Sequence, residues 1–346
     1  MTTRLALALA LAALTLSACG EKQEPRAGAG SPSAEKLTLV LDYFPNADHA
    51  GIYAAEATGA FARAGLDVDI RVPGDPAAPL KLVAAGKADL AISYEPELFL
   101  ARDKGVELVG VGAVAQKPLT SIIALGGAGV RTPADLEGKT VGTAGIPYQS
   151  AYLRTILKRA GVDPATVKEV NVGFNLVPAM LSKKVDATLG AFWNYEGVQL
   201  ARAGKKPTII RMEQAGVPTY DELVLVAQQE TLGTRGKLIR RFVQALRQGT
   251  EAVREDPEVG IAPLLAANKD LDRGLQLAAV KATLPVFFPE DAKRPFGWQD
   301  PEEWRLYGAW LRENKLVENP PTQAVLTNEF LPGEGVRPVE ADPGGQ

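Results

Sequence analysis

Residues 37–53 read Leu37-Thr38-Leu39-Val40-Leu41-Asp42-Tyr43-Phe44-Pro45-Asn46-Ala47-Asp48-His49-Ala50-Gly51-Ile52-Tyr53. Leu37 to Leu41 form a short apolar strand that stops at Asp42. A turn follows, built on Pro45 and Asn46, both good turn formers. From Ile52 to Ala64 the pattern is helical, and Gly65 stands where a helix C-cap belongs. The turn between strand and helix concentrates chemistry. Tyr43 offers a ring for stacking and Asn46 an amide that both donates and accepts. His49 is the single histidine of the chain.

Outward from this unit the strand–turn–helix pattern repeats. Leu66 to Val72 alternates as a half-buried strand does, and Pro79 to Ala85 starts a helix closed by Gly86. Leu90-Ala91-Ile92 and Leu108 to Val114 are further strands. A second series begins after Gly126-Gly127. Thr132 caps a helical turn with Pro133 at its first position. Lys139 to Gly142 predicts a strand, Gln149 to Ala160 a helix, Glu169 to Val172 a strand, Val177 to Ser182 a helix, and Ala187 to Ala191 a strand. Ile209-Ile210 and Leu223 to Ala227 follow, and from Gly236 to about Asn314 the chain is helical. Such alternation predicts an α/β fold with mainly parallel sheets. Two series of similar order predict two lobes. Ligands of open α/β sheets bind beyond the carboxyl ends of strands, so two facing ends predict a cleft between the lobes.

Composition excludes other classes. The 346 residues are 46% hydrophobic and 23% charged, with a net charge of −3. The chain is too apolar for disorder and too nearly neutral for a protein that grips nucleic acid by counterion release. One Cys and one His leave no residues for a metal cluster or a disulfide framework. No metal and no cofactor are expected.

The lone cysteine has its own explanation. Arg4 precedes a 12-residue apolar run, Leu5 to Leu16, too short to span a bilayer and suited to a secretory signal. Leu16-Ser17-Ala18-Cys19 resembles the lipobox of bacterial lipoproteins, which implies that residues 1–18 are removed and Cys19 carries acyl chains. Loss of Arg4 moves the net charge from −3 to −4. Residues 19–36 are Gly, Pro, Ser, Ala, Glu and Lys in the main, the composition of a flexible tether reaching roughly 20–25 Å. The protein is thus expected at the extracytoplasmic face of the cell membrane. The Pro-, Gly- and acid-rich residues 317–346 read as a C-terminal tail.

Several segments together resemble the periplasmic substrate-binding proteins of ABC importers, in the branch that handles the pyrimidine precursor of thiamine. They are Leu41 to Tyr53, Gly59-Ala60-Phe61 with Gly65 to Val68, Leu82 to Asp89, Asp135 to Lys139, Val185-Asp186-Ala187, Trp193 to Gly197 and Trp304 to Leu311. The Asp-Leu-Glu-Gly-Lys piece is common to many binding proteins. The spacing of Asp42, Pro45, Asn46, His49 and Gly51 is far more specific to this branch. The resemblance covers residues 37–316. It implies a type II periplasmic binding protein fold, two α/β lobes joined by two crossover strands, crossing near Ser121–Gly127 and returning near Tyr220–Ala227. Lobe one would hold residues 37–125 and the helical return 223–316, and lobe two residues 126–222.

Four clusters are candidate ligand-binding residues. Tyr43, Asn46 and His49 belong to the first turn, which also suits a purely structural turn. Tyr94 and Glu95 end the strand at Ser93, where a carboxylate meets a ring N–H or amine or simply opens a helix. Trp193 and Glu196 follow another strand, to stack on and hydrogen-bond a ring, with Trp193 as core residue the alternative. Tyr148 sits where a glycine-bearing turn enters a helix. Trp298, Trp304 and Trp310 read as packing, and Arg235, Lys237, Arg240 and Arg241 as a solvated helix face. These clusters are aromatic and acidic and contain no Arg or Lys, unlike a phosphate site.

The reading that results is a monomeric, lipid-anchored receptor. It captures a small heteroaromatic vitamin or precursor, an aminopyrimidine first and riboflavin second, and delivers it to an ABC permease and its ATPase. A pyrimidine-synthase-like enzyme and a ligand sensor are the alternatives. The fungal synthases of the resembling family carry a cysteine-rich motif that this chain lacks, and no nucleophile motif accompanies His49. No enzymatic activity is expected.

Overall fold

The computed structural model describes residues 34–318 and 325–333. The signal segment, Cys19, most of the tether and the last thirteen residues lie outside the described residues.

Ten strands form two five-stranded sheets among the described residues. The first sheet has the order β2-β1-β3-β10-β4, with β1 Glu35–Val40, β2 Leu66–Arg71, β3 Leu90–Ser93, β4 Leu108–Ala115 and β10 Leu223–Gln228. The second has the order β7-β6-β8-β5-β9, with β5 Thr120–Leu125, β6 Thr140–Thr143, β7 Lys168–Asn171, β8 Ala187–Phe192 and β9 Pro207–Arg211. In each sheet the third-to-last place pairs in parallel with its series, and the strand that arrives from the other lobe slots in antiparallel beside it. The sheets are therefore mixed rather than mainly parallel.

Two of the expected boundaries shift. Thr120–Leu125 pairs with β8 and β9, so lobe one's first part ends before residue 120 instead of at 125. The outgoing crossover is residues 116–119 and the return is residues 212–222. An apolar run so close behind β4 reads from sequence as a continuation of lobe one, and only its partners reveal otherwise. Likewise the expected tail is partly structural. Phe330 and Leu331 are buried, Leu326 bridges Gly110, and Asn328 exchanges hydrogen bonds with Gln299.

The expected helix over 52–64 is two helices, Ala50–Ala57 and Ala60–Arg63, broken at Gly59, where φ is +74°. The first of these packs closely on the long helix Gln229–Glu255. A Cβ on Gly51 would lie 2.2 Å from Thr250 Oγ1, and one on Gly249 would lie 2.2 Å from the Gly51 carbonyl oxygen. Glycine at position 51 thus lets the site-bearing helix sit against its support.

The crossovers are tied together by one buried side chain. Oε2 of Glu222 accepts the N–H groups of Leu119 at 2.8 Å and Thr120 at 2.7 Å, while Oε1 accepts the Thr120 hydroxyl at 2.8 Å. Tyr220 donates its hydroxyl to the same Oε2 at 3.1 Å.

Candidate functional site

The turn after β1 is held by a capping box. Asn46 Oδ1 accepts the N–H of Asp48 at 2.8 Å, and Nδ1 of His49 accepts the N–H of Asn46 at 3.2 Å. With Nδ1 accepting, the histidine proton resides on Nε2, which donates to Asp42 Oδ1 at 2.9 Å. Asp42 Oδ2 takes the Tyr94 hydroxyl at 2.8 Å. A backbone turn, an imidazole, a carboxylate and a phenol thus fix one another, and the Tyr94 ring is pinned at the end of β3.

Beyond these strand ends lies a cavity with about 450 Å³ of empty space, counting space open to solvent. Lobe one contributes Asp42, Tyr43, Asn46, Asp48, Pro76 and Tyr94. Lobe two contributes Ala144, Ile146, Tyr148, Gln149, Leu176, Gly190, Phe192, Tyr195 and Glu196. Tyrosine rings line both sides, and Phe192 adds a further ring from lobe two. The polar groups are carboxylates, amides and phenols, with no Lys or Arg among them.

Burial tunes the acids upward. Glu196 is pushed to about 7 chiefly by desolvation, against two backbone hydrogen bonds and with help from the charges of Asp48 and Asp42. Its Oε2 accepts the Phe192 N–H at 2.7 Å. Asp48 is pushed to about 6, again by desolvation first, with His49 pulling the other way. Burial raises the Tyr195 phenol to about 12 and also pushes the Tyr43, Tyr94 and Tyr148 phenols well up. The phenols therefore stay neutral, and the acids are poised to accept N–H groups or to hold a proton near neutrality.

The lobes also touch over the cavity. Tyr43 donates its hydroxyl to the Phe174 carbonyl at 2.7 Å, and its ring centroid lies 4.4 Å from that of Phe174. Phe44, 45% exposed, packs on the same ring at 4.6 Å. Gln276 donates to the Tyr195 hydroxyl at 2.9 Å.

Of the eight residues singled out in the sequence, Tyr43, Asn46, Tyr94, Tyr148 and Glu196 line this one cavity. Three do not. His49 is fully enclosed behind the wall, because it completes the capping box and braces Asp42. Glu95 turns to the return crossover, where its Oε2 accepts the Asp221 N–H at 2.7 Å, and Trp304 donates to Asp221 Oδ2 at 2.7 Å. Trp193 faces the outgoing crossover, donating to the Pro118 carbonyl at 2.9 Å with the Arg211 guanidinium 4.1 Å from its ring centre. The sequence reading passed over Asp42, Asp48, Gln149, Phe192 and Tyr195 as site residues. Each neighbours a chosen residue in the same turn or strand end, so proximity was the available signal. Gly190 carried none. Its φ is +116°, and a Cβ there would lie 2.4 Å from Nε2 of Gln149, whose Oε1 accepts the Ala144 N–H at 2.8 Å.

Two mixed sheets, two crossovers and a cavity at the facing strand ends give the two-lobed periplasmic binding protein fold. The alkanesulfonate-binding protein SsuA of Xanthomonas axonopodis pv. citri superposes with a TM-score of 0.64, covering 84% of this chain and 96% of that one at 18% identity. The chain belongs to the NMT1/THI5-like family, whose profile matches residues 46–259. A formylaminopyrimidine-binding protein of Halalkalibacterium halodurans is 34% identical over 316 residues, 91% of this chain and 94% of its own length. A 4-amino-5-hydroxymethyl-2-methylpyrimidine phosphate synthase of Legionella pneumophila is 26% identical over 301 residues, covering 86% of this chain and 92% of its own.

Proposed function

We propose that this protein captures an aminopyrimidine related to the thiamine precursor between its lobes and presents the closed form to an ABC permease and its ATPase. The observation that carries this reading is the lining of the cavity: aromatic rings with carboxylate and amide groups and no cation. A flat ring stacks on the aromatics. An exocyclic amine or ring N–H finds acceptor-only carboxylates. A phosphorylated ring would meet Asp42, Asp48 and Glu196 with nothing to neutralise it. The Halalkalibacterium relative is named for binding a formylaminopyrimidine, a ring of the favoured chemistry. Riboflavin, weighed from the sequence, has no counterpart among the relatives described.

Tyr43, Asn46, Tyr94, Tyr148 and Glu196 are the proposed ligand contacts, joined by Asp42, Asp48, Gln149 and Tyr195. Calorimetry with formylaminopyrimidine, 4-amino-5-hydroxymethyl-2-methylpyrimidine, its phosphate, thiamine and riboflavin tests the assignment. Binding of the two unphosphorylated aminopyrimidines is expected, and binding of neither sinks it. The protein acts as a receptor rather than a catalyst, so the bound pyrimidine is recovered unchanged by mass spectrometry. It works as a monomer held by acyl chains on Cys19 at the extracytoplasmic membrane face. Palmitate labelling that survives Cys19→Ser would overturn the anchor.

A further inference from the structure

Asp48 faces two ways. Its Oδ1 accepts a proton from Nδ2 of Asn194 at 2.6 Å, and the second proton of that amide goes to Thr283 Oγ1 at 2.7 Å. The Thr283 hydroxyl proton is shared between the Ala279 carbonyl at 2.8 Å and Asp48 Oδ1 at 3.2 Å. Asn194 follows β8 in lobe two, whereas Asp48 and Thr283 belong to lobe one. All three are buried, Asn194 and Thr283 completely. Both amide protons of one lobe-two side chain are therefore spent on lobe one, inside a water-poor seam. The other oxygen, Oδ2, is buried without a partner in the protein, on a residue that lines the cavity.

We propose that Asp48 couples recognition to closure: Oδ2 takes the amino group of the pyrimidine while Oδ1 holds Asn194 and, through it, lobe two. The coupling is electrostatic. An N–H donated to Oδ2 favours the ionised carboxylate, and an ionised acceptor binds the Asn194 amide about twice as strongly as a neutral one. A ring without that amino group leaves Oδ2 buried and unmatched, a state relieved by taking up a proton, which weakens the clasp. By linkage, whatever the amine adds to closure, closure adds to amine affinity. Selectivity then resides in the closed population that a membrane partner would meet as well as in affinity. This inference rests on the aminopyrimidine reading.

The test compares 4-amino-5-hydroxymethyl-2-methylpyrimidine with the same ring lacking its 4-amino group, using calorimetry and small-angle scattering on the full chain. The wild type is expected to prefer the aminated ring by about tenfold or more and to compact only with it. Asp48→Asn should reduce that preference to within about threefold, since one acceptor is replaced by a donor. Asn194→Ala should bind the aminated ring about fivefold more weakly and lose the compaction, and Thr283→Val should follow it part of the way. Thermal melts check that each variant is folded, and the Asn194 and Thr283 arms carry the test if Asp48→Asn is not. Full preference in Asp48→Asn, or wild-type compaction in Asn194→Ala, overturns the coupling alone. Binding of neither ring by the wild type fails the aminopyrimidine reading and the coupling with it.

Discussion

The two lobes share one strand order and differ in what they bring to the cavity. Both sheets run as a parallel series into which the strand arriving from the opposite lobe inserts antiparallel. Lobe one supplies a rigid acidic corner, with Asp42 bonded to both His49 and Tyr94, and Asp48 fixed by its own turn. Lobe two supplies most of the apolar lining and one acid, Glu196, held by the Phe192 N–H. Equal scaffolds therefore carry unequal duties. One wall sets where acceptors stand, and the other supplies most of the apolar cover.

The most drastic way to break the comparison is to detach the lobes from their common hinge. Glu222→Ala leaves two N–H groups and two hydroxyls of the crossovers without their buried acceptor, and should lower unfolding free energy by about 3–5 kcal/mol in urea titrations. Next comes the acidic corner. His49→Ala removes a fully enclosed ring and frees Asp42, and should lower stability by about 2–4 kcal/mol while weakening pyrimidine binding by about tenfold. Both effects together, from a residue outside the cavity wall, distinguish bracing from contact.

A smaller effect concerns pH. Glu196, Glu222 and Glu97 are each raised to about 7 and Asp48 to about 6, all mainly by burial. A carboxyl whose folded pKa lies above its unfolded value stabilises the fold fully below the unfolded pKa, and that contribution fades as pH rises through the folded one. The unliganded protein should accordingly lose stability steadily between pH 5 and pH 8, read by chemical denaturation. Affinity for an N–H donor should rise over the upper part of the same window as Glu196 ionises, with Glu196→Gln flattening the rise in calorimetry. The smallest effect is expected where lobe two meets the outgoing crossover. Trp193→Ala should change affinity by less than about threefold, while costing about 1–2 kcal/mol of stability through the lost Pro118 hydrogen bond and Arg211 contact.

The segments that line the cavity were legible in the sequence, because each lies at or just beyond a strand end and carries an aromatic and a polar residue. What the sequence left open was parity. The three residues that do not line the cavity are immediate neighbours of residues that do: His49 beside Asp48, Glu95 beside Tyr94, Trp193 beside Phe192. Trp193 directly follows β8, where successive side chains point to opposite sides, whereas His49 closes a 3-10 turn and Glu95 opens a helix; in each case a reading displaced by one residue selects a different face. The Asp-Pro-Asn-His-Gly spacing was marked as distinctive, and its histidine and glycine act through packing, one behind Asp42 and the other against the Gln229–Glu255 helix. The boundary at Leu125 was misjudged for a different reason. Strand membership depends on partners distant in the chain, which local pattern does not encode.

Glu222 has a mechanical consequence. Two separate connectors would let one lobe both swing and twist about the other. A single carboxylate that grips the backbone of the outgoing connector from the returning one makes the pair bend as one ribbon. The relative motion of the lobes then approaches a door on one axis instead of a ball in a socket. A guest molecule that shuts such a door has only one angular freedom to freeze, so more of its contact energy is left to hold it in place.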